Sequence, residues 1–426
     1  MKKCMKVWTT NELTDIAFQN KEILEHNMLN TYQPESDFRV AIVGGGPKGA
    51  YSIERLASVW NKHNPNTDLD IVCYNSSVDF GSGPNYQIDQ PDFLLMNYNL
   101  GKVNFWTEED DQLVEERLNL LEFLNPDRIE VSDRFTLLKV GRWARKQKVP
   151  SVVFSHETLA GLAEKYLPFL PQQLRNSLVN WHNRKLSAAF DCVIATTNYA
   201  AREFEQIGVR NLHKISLGVD LTEFNPTNRN LELRNQLLNG SRYLLVHCGR
   251  LSPEKEPGRS VQAVEKLISA GVDVRLVIVG GGPLWKNIRK QSLNLPIEMV
   301  GYVADRKKVA SYLAAADVAI APGPLETFCL SALESLASGT PVVASASSAV
   351  GEILNLSCPQ PAGAVAADDG QSFANAIANV LRDSSYRKSA RTQAEQFDWS
   401  NTVNKMLQLH GSKEITGDGS ERLAAA

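Results

Sequence analysis

Short apolar runs alternate with segments of helical periodicity along most of this chain. RVAIV (39–43), DLDIVCYN (68–75), DRIEVSD (127–133), SVVFS (151–155) and DCVIATT (191–197) read as strands in the first half. YLLVHCG (243–249), VRLVIV (274–279), IEMVGYV (297–303) and VAIA (318–321) read as strands in the second. They are short, rich in Val and Ile and apolar on successive residues, as strands buried on both faces of a parallel sheet are. Between them lie segments such as TLLKVGRWARKQ (136–147) and NYAAREFEQIG (198–208), whose apolar positions recur every three or four residues. Strand and helix in regular alternation predict an α/β architecture with parallel sheets.

The pattern also sets boundaries. Residues 1–36 are polar and weakly periodic and read as a loosely attached arm; 37–222 has the length of one domain. A linker is expected over 223–240, with Pro226 as punctuation, then a second domain over 241–410 ending in the helix FDWSNTVNKMLQLHG. Residues 411–426 read as a disordered tail.

Composition narrows the class. The 426 residues are 43% hydrophobic, enough for two cores of ordinary size, and a net charge of −3 gives no support to nucleic-acid binding. Six cysteines are scattered without C-x-x-C spacing, so neither a structural zinc site nor a disulfide framework is expected. No apolar run has the length of a membrane span and no signal peptide is evident, so a cytoplasmic protein is expected, touching membrane only peripherally at its inner face.

The densest chemistry lies in PGPLETFCLSALESLASGTPVV (322–343). A buried strand leads through a Pro/Gly loop into a helix stopped by Gly339 and Pro341. Glu326 and Glu334 are eight positions apart, which places them within about 40° around the axis if the helix begins early. Carboxylates accept hydrogen bonds from paired sugar hydroxyls, and a helix N-terminus offers free N–H groups to phosphate, so this stretch could hold a nucleotide sugar. Upstream, GRLSPEK places Arg250 and Lys255 at a helix entrance, where cations suit a diphosphate whose charge grows as it departs. Asp133 and His156 close two strands of the first domain, at the carboxyl ends where open parallel sheets bind ligands.

The Glu326-x7-Glu334 spacing, with E-T-F before it and G-T-P-V-V after it, resembles the donor signature of the retaining GT-B glycosyltransferases, built from two Rossmann-like domains facing across a cleft. PDRIEVSDRFTL, GRWARKQKVPSVVFSHETL, LGVDLTEFNP and LLVHCGRLSPEK resemble, in order over about 120–410, the GDP-mannose-dependent α-mannosyltransferases that act on phosphatidylinositol mannosides. That resemblance implies a nucleotide-sugar donor and a lipid or glycan acceptor. It implies that Arg250 and Lys255 stabilise the leaving diphosphate without a metal, and that Glu326 holds the hexose and Glu334 the ribose. His156 would lie at the reacting face and Tyr302 near the nucleobase. Gly249, Thr327, Phe328, Cys329 and Leu330 would complete the donor site, and Asp133 would lie on the acceptor side. Cys329 departs from the family, which usually carries glycine there.

The opening of the first domain has a different character. Gly44, Gly46 and Gly49, with Gly45, satisfy G-x-G-x-x-G between a strand and a helix, a loop able to bring backbone N–H groups to phosphate or acceptor. Residues 38–110 resemble the start of an FAD/NAD(P)-binding family, yet Asn75 stands where an acid would hold the ribose, and IVGGGP recurs at 278–283 without the third glycine. No cofactor is therefore required, with FAD or NAD(P) the alternative. Two other functions fit the sequence: an FAD/NAD(P)-binding protein fused to an inert glycosyltransferase domain, and a catalytically dead nucleotide-sugar module. Finally, six cations and no acid occur between 134 and 148, beside an apolar stripe of Leu137, Val140, Trp143 and Ala144. The plain reading is a core-facing helix with a solvated basic face, and contact with anionic lipid would use the same face.

Overall fold

The computed structural model describes residues 7–8, 38–43, 69–74, 121–122, 126–132, 134 and 137–410. Its strands form two wholly parallel sheets. The first takes β1 (Val7–Trp8), β2 (Phe38–Val43), β3 (Leu69–Tyr74), β4 (Arg128–Val131), β5 (Ser151–Ser155), β6 (Cys192–Ala195) and β7 (Leu212–Lys214). Their spatial order is β1-β3-β2-β4-β5-β6-β7. Within the arm expected over 1–36, Val7 and Trp8 pair with Ile71 and Val72.

Two strands of the flavoprotein-like opening belong to this sheet. β2 pairs with β3 along one edge, from Phe38 opposite Leu69, and with β4 along the other, from Val40 opposite Arg128. The two stretches of different family character therefore build one sheet, whose order reverses between β2 and β4. Gly44, Gly45, Gly46, Gly49 and Asp133, which follow those two strands in sequence, lie outside the described residues. So do most of 75–125 and the tail 411–426.

The second sheet takes β8 (Tyr243–Cys248), β9 (Val274–Val279), β10 (Ile297–Gly301), β11 (Val318–Ala321), β12 (Val342–Ser345) and β13 (Gly363–Ala366). Their order, β10-β9-β8-β11-β12-β13, is doubly wound, with its reversal between β8 and β11. Leu244 and Val246 enter the core on one face with Ala319, Leu333 and Leu336, while Leu245 faces Leu276, Ile278, Val343 and Phe373 on the other. Period-2 alternation with both sides apolar is what the unbroken hydrophobic runs encode.

The stretch 223–240 carries structure of its own, a 3-10 turn at Pro226–Asn228 and a helix at Leu231–Leu238. Asn230 caps that helix by accepting from the N–H groups of Glu232 and Leu233. Arg234 donates to Ala315 O and pairs with Asp317 at 2.8 Å, which fixes the helix against the second sheet.

The last described helix, Trp399–Leu409, crosses back to the first sheet. Met406 packs among Val152, Phe154, Ile194 and Ile215. Thr402 donates to Ser216 O at 2.8 Å and Arg128 to His410 O at 2.8 Å. No described helix is long and apolar enough to cross a membrane.

The basic segment is corrected in one respect. Its helix is Leu138–Gln147, with Val140, Trp143 and Ala144 buried as the stripe predicts and Arg142, Arg145 and Lys146 exposed. Arg134 precedes it and is fully buried: it pairs with Glu203 at 2.8 Å, donates to Ser155 Oγ and Glu157 O, and bonds Asn183. Glu203 in turn accepts from Leu159 N and Ala160 N, so this pair braces the turn around His156. A buried guanidinium needs partners on several edges; these supply them at Nη1 and Nη2, while Nε is left without one.

Candidate functional site

The carboxyl ends of β8 and β11 diverge at the reversal of the second sheet, and their loops carry the chemistry. After β8, Gly249 and Arg250 lead to a 3-10 turn at Pro253–Lys255. The glycine turn after β9 holds this loop in place. A Cβ on Gly280 would lie 1.9 Å from Gly249 O, and one on Gly282 would lie 2.6 Å from Leu251 O. Both glycines have φ above +140°, and Leu251 N bonds Gly281 O at 2.8 Å. The second IVGGGP thus owes Gly280 and Gly282 to close backbone approach.

Arg250 Nη2 pairs with Glu254 Oε1 at 2.8 Å, an oxygen that also accepts from Ser252 Oγ at 2.5 Å. Burial pushes the Glu254 carboxyl up, but Arg250 and Ser252 outweigh it and leave it below its ordinary range. Glu254 therefore stays ionised and orients the guanidinium. Five residues after Arg250 in sequence, Lys255 Nζ pairs with Glu326 Oε1 at 2.7 Å, spanning the two loops. Burial lowers the Lys255 pKa most, yet Glu326 and Cys329 together outweigh it and leave it above its ordinary value, so the ammonium keeps its proton. Gly323 admits this arrangement, because a Cβ there would lie 3.2 Å from Glu326 Oε1 and 3.4 Å from Lys255 Cα.

The helix following Glu326 runs Leu330–Ala337, so Glu326 lies in the loop and the angular argument from a common helix does not hold. Glu334 lies inside the helix, and its Oε1 faces Arg306 Nη2 at 3.8 Å. Burial pushes its carboxyl up to about 7, against the pull of Arg306. Phe328 is buried and meets Phe397 edge to face, while Tyr302 is exposed beyond β10.

Cys329 occupies the helix N-cap at φ 71°, ψ 80°, in the left-handed region that glycine favours. Its thiol is pushed up to about 12, by burial first and by Glu326 second, and so stays protonated. Cys329→Gly should raise thermal stability by about 1 kcal/mol through relief of this strain. Calorimetry would show the effect as a higher Tm, and a lower Tm would mean that Sγ packing outweighs the backbone term.

The loop also clasps the first domain. Thr327 O accepts from Thr196 Oγ1 at 3.2 Å and Thr197 Oγ1 at 2.8 Å, and Thr327 Oγ1 donates to His156 O. His156 stands at the end of β5, stacked on Phe154 with centroids 5.3 Å apart. Lys165 pairs with Glu256 at 2.7 Å, and Glu352 accepts from Asn198 N and Tyr199 N at 2.8 and 2.7 Å, capping a helix of the opposite domain. The structure thus brings Arg250, Lys255, Glu326, Thr327 and His156 around the space between the sheets.

Sequence reasoning missed Glu254, Arg306, Thr196, Thr197 and Glu352. For Glu254 the acid one position before Lys255 in S-P-E-K was a signal. The others act through the fold and leave no local pattern.

Two family models match the chain, Glycosyl transferases group 1 over residues 228–397 and Glycosyltransferase Family 4 over 68–223. A GDP-mannose-dependent alpha-(1-6)-phosphatidylinositol dimannoside mannosyltransferase of Mycobacterium tuberculosis is 42% identical over 299 residues, covering 70% of this chain and 77% of that protein. A GDP-mannose-dependent alpha-mannosyltransferase of Mycolicibacterium smegmatis is 32% identical over 203 residues, 47% of this chain and 50% of its own length. Among solved structures, a sucrose-phosphate synthase from Thermosynechococcus elongatus superposes with a TM-score of 0.65 at 20% identity, over 88% of this chain and 98% of that one, which speaks for the fold alone. By fold and by sequence the chain belongs to the GT-B glycosyltransferases, in the branch that holds the GDP-mannose-dependent α-mannosyltransferases.

Proposed function

We propose that this glycosyltransferase moves mannose from GDP-mannose, with retention of configuration, to a lipid or lipid-linked glycan acceptor at the inner face of the cell membrane. The observation that carries the reading is the Lys255–Glu326 pair, with Arg250 on the same loop as Lys255, at the reversal of the second sheet. Before donor binds, Glu326 helps hold the proton on Lys255 in this partly buried setting. A diphosphate then takes the carboxylate's place on Lys255, and Glu326 is released to accept from hexose hydroxyls. Glu334 receives the ribose hydroxyls.

As the glycosidic bond breaks, positive charge develops on the sugar and negative charge on the diphosphate, in an oxocarbenium-like transition state. Arg250 and Lys255 stabilise the leaving group where its charge grows. The incoming acceptor hydroxyl attacks from the same face, passing its proton to the departing phosphate, and His156 borders that face. No side chain is assigned as a covalent nucleophile. The glycine loop 44–49 and Asp133 belong to the acceptor side in this reading, following the two strands at the reversal of the first sheet.

A thermal-shift panel of GDP, UDP, ADP, FAD and NADP, followed by a radiolabelled GDP-mannose assay with and without a phosphatidylinositol mannoside, tests it. GDP should stabilise most, no flavin should co-purify, and label should reach lipid only when acceptor is present. Stabilisation by UDP in place of GDP would move the donor to another sugar nucleotide, and stabilisation by FAD would revive the flavoprotein reading.

A further inference from the structure

The helix Gln172–Ala189 has two apolar faces. Val179, Leu186 and Ala189 are buried against the first sheet. On a neighbouring face, roughly 100° around the axis, Leu174, Leu178 and Trp181 are 46%, 46% and 55% exposed. Together with Lys185 these residues lie within about 60° around the axis, a continuous stripe one side chain wide. Phe169, in the Leu-Pro-Phe-Leu-Pro loop that precedes the helix, is 74% exposed. Isolated exposed apolar residues are common on protein surfaces; a contiguous row ending in an exposed tryptophan is not.

Charge and place say what covers it. The helix carries Arg175, Arg184 and Lys185 and no acid. Lys185 Nζ sits 3.7 Å from the Trp181 ring centroid, an aromatic body with a cation beside it, the combination that suits a membrane–water interface. At the far end Arg184 joins Arg145 and Arg210 around an open cleft of about 510 Å³, with Asp191 at its wall. At the near end the stripe begins at the rim of the interdomain space. Lys165 and Tyr166, just before the loop, face the Arg250 loop through Glu256, Pro253 and Glu254.

We propose that Phe169, Leu174, Leu178 and Trp181 form a docking surface that inserts shallowly into an anionic lipid bilayer, with the exposed Arg184 and Lys185 against the headgroups. A surface of this kind, starting at the rim, would seat the protein where a lipid acceptor can enter without leaving the bilayer. This last step rests on the lipid-acceptor reading; the binding surface itself does not. Apolar insertion supplies affinity, and each cation near an anionic surface adds to it.

Flotation of the full chain with vesicles of phosphatidylcholine containing about 30 mol % phosphatidylinositol, without donor or acceptor, tests the surface. The protein should float with these vesicles and less with pure phosphatidylcholine. The variant Leu174→Ser, Leu178→Ser, Trp181→Ser should lose about tenfold or more in vesicle affinity. Its Tm and its stabilisation by GDP, read alongside, should stay as in the unaltered chain, which separates lost docking from lost folding. Brominated lipid should quench an emission component that Trp181→Phe removes. The proposal is overturned if the unaltered chain ignores anionic vesicles, or if the triple variant floats equally well. It is also overturned if size-exclusion chromatography shows a dimer that the same substitutions disperse, which would give the face to a second copy. Vesicle binding retained with no transfer to lipid acceptor would instead refute the acceptor assignment and leave this surface standing.

Discussion

Lys255→Ala should lower kcat for mannosyl transfer by about 10²–10³-fold while weakening GDP far less. The reasoning is electrostatic: a cation aimed at the leaving diphosphate gains most as the bond breaks, so its loss falls on the transition state more than on the ground state. The structure adds a second consequence. Lys255 Nζ is the partner of Glu326 at 2.7 Å, so its removal leaves a carboxylate in a half-buried site facing donor phosphates. Lys255→Ala, Glu326→Ala should therefore bind GDP more tightly than Lys255→Ala alone, though it transfers no faster, because the repulsion is gone and the hexose contact with it. Glu326→Ala by itself should spare GDP within about twofold and still lose transfer, since GDP has no hexose. Steady-state kinetics with isothermal titration of GDP reads all three variants. If Lys255→Ala raised KM and left kcat unchanged, the lysine would be a ground-state anchor and the leaving-group role would fall.

Most of the second domain was legible because its signals are local. Short, mostly apolar runs gave β8, β9 and β11, and Arg250, Lys255 and Glu326 sit in loops whose place follows from strand order. Glu334 was legible as a residue, but the geometry assumed for it was not, since whether a helix begins at Glu326 or at Leu330 depends on a loop fixed by Lys255 and by the first domain. Arg134 failed for the same kind of reason. In sequence it is one cation of six; in space its partners Ser155, Asn183 and Glu203 come from three other elements. The flavoprotein-like opening could not be placed from sequence because its strands satisfy either fold, and only pairing of β2 with both β3 and β4 joins them to the transferase sheet. Long-range partners are what periodicity cannot report.

Glu334→Gln should have opposite effects on stability and on donor binding. Burial holds the carboxyl at about 7 against an ordinary 4.5, so between those values the folded chain binds more protons than the unfolded chain. This group's contribution to stability is therefore lost as pH rises through that window, reaching a penalty of about 3 kcal/mol above pH 7. Glutamine removes the titration while keeping size and an acceptor oxygen for Arg306. At pH 8 the nucleotide-free variant should then melt above the unaltered chain by about 2–6 °C, with the two melting curves converging below pH 4.5. Donor binding should move the other way. If the carboxylate accepts from both ribose hydroxyls, its loss costs about 1.5–3 kcal/mol, or roughly 10–150-fold in Kd for GDP at pH 8. The ratio of the two Kd values should narrow by about tenfold between pH 8 and pH 6, because the unaltered Glu334 then takes up a proton and loses its second acceptor. Taking the ratio cancels the ionisation of GDP itself. A residue retained at a cost to the fold because the ligand needs its charge would show this pattern. A variant that melted lower at pH 8 and still bound GDP normally would instead make Glu334 a structural partner of Arg306, and the ribose would need another acceptor.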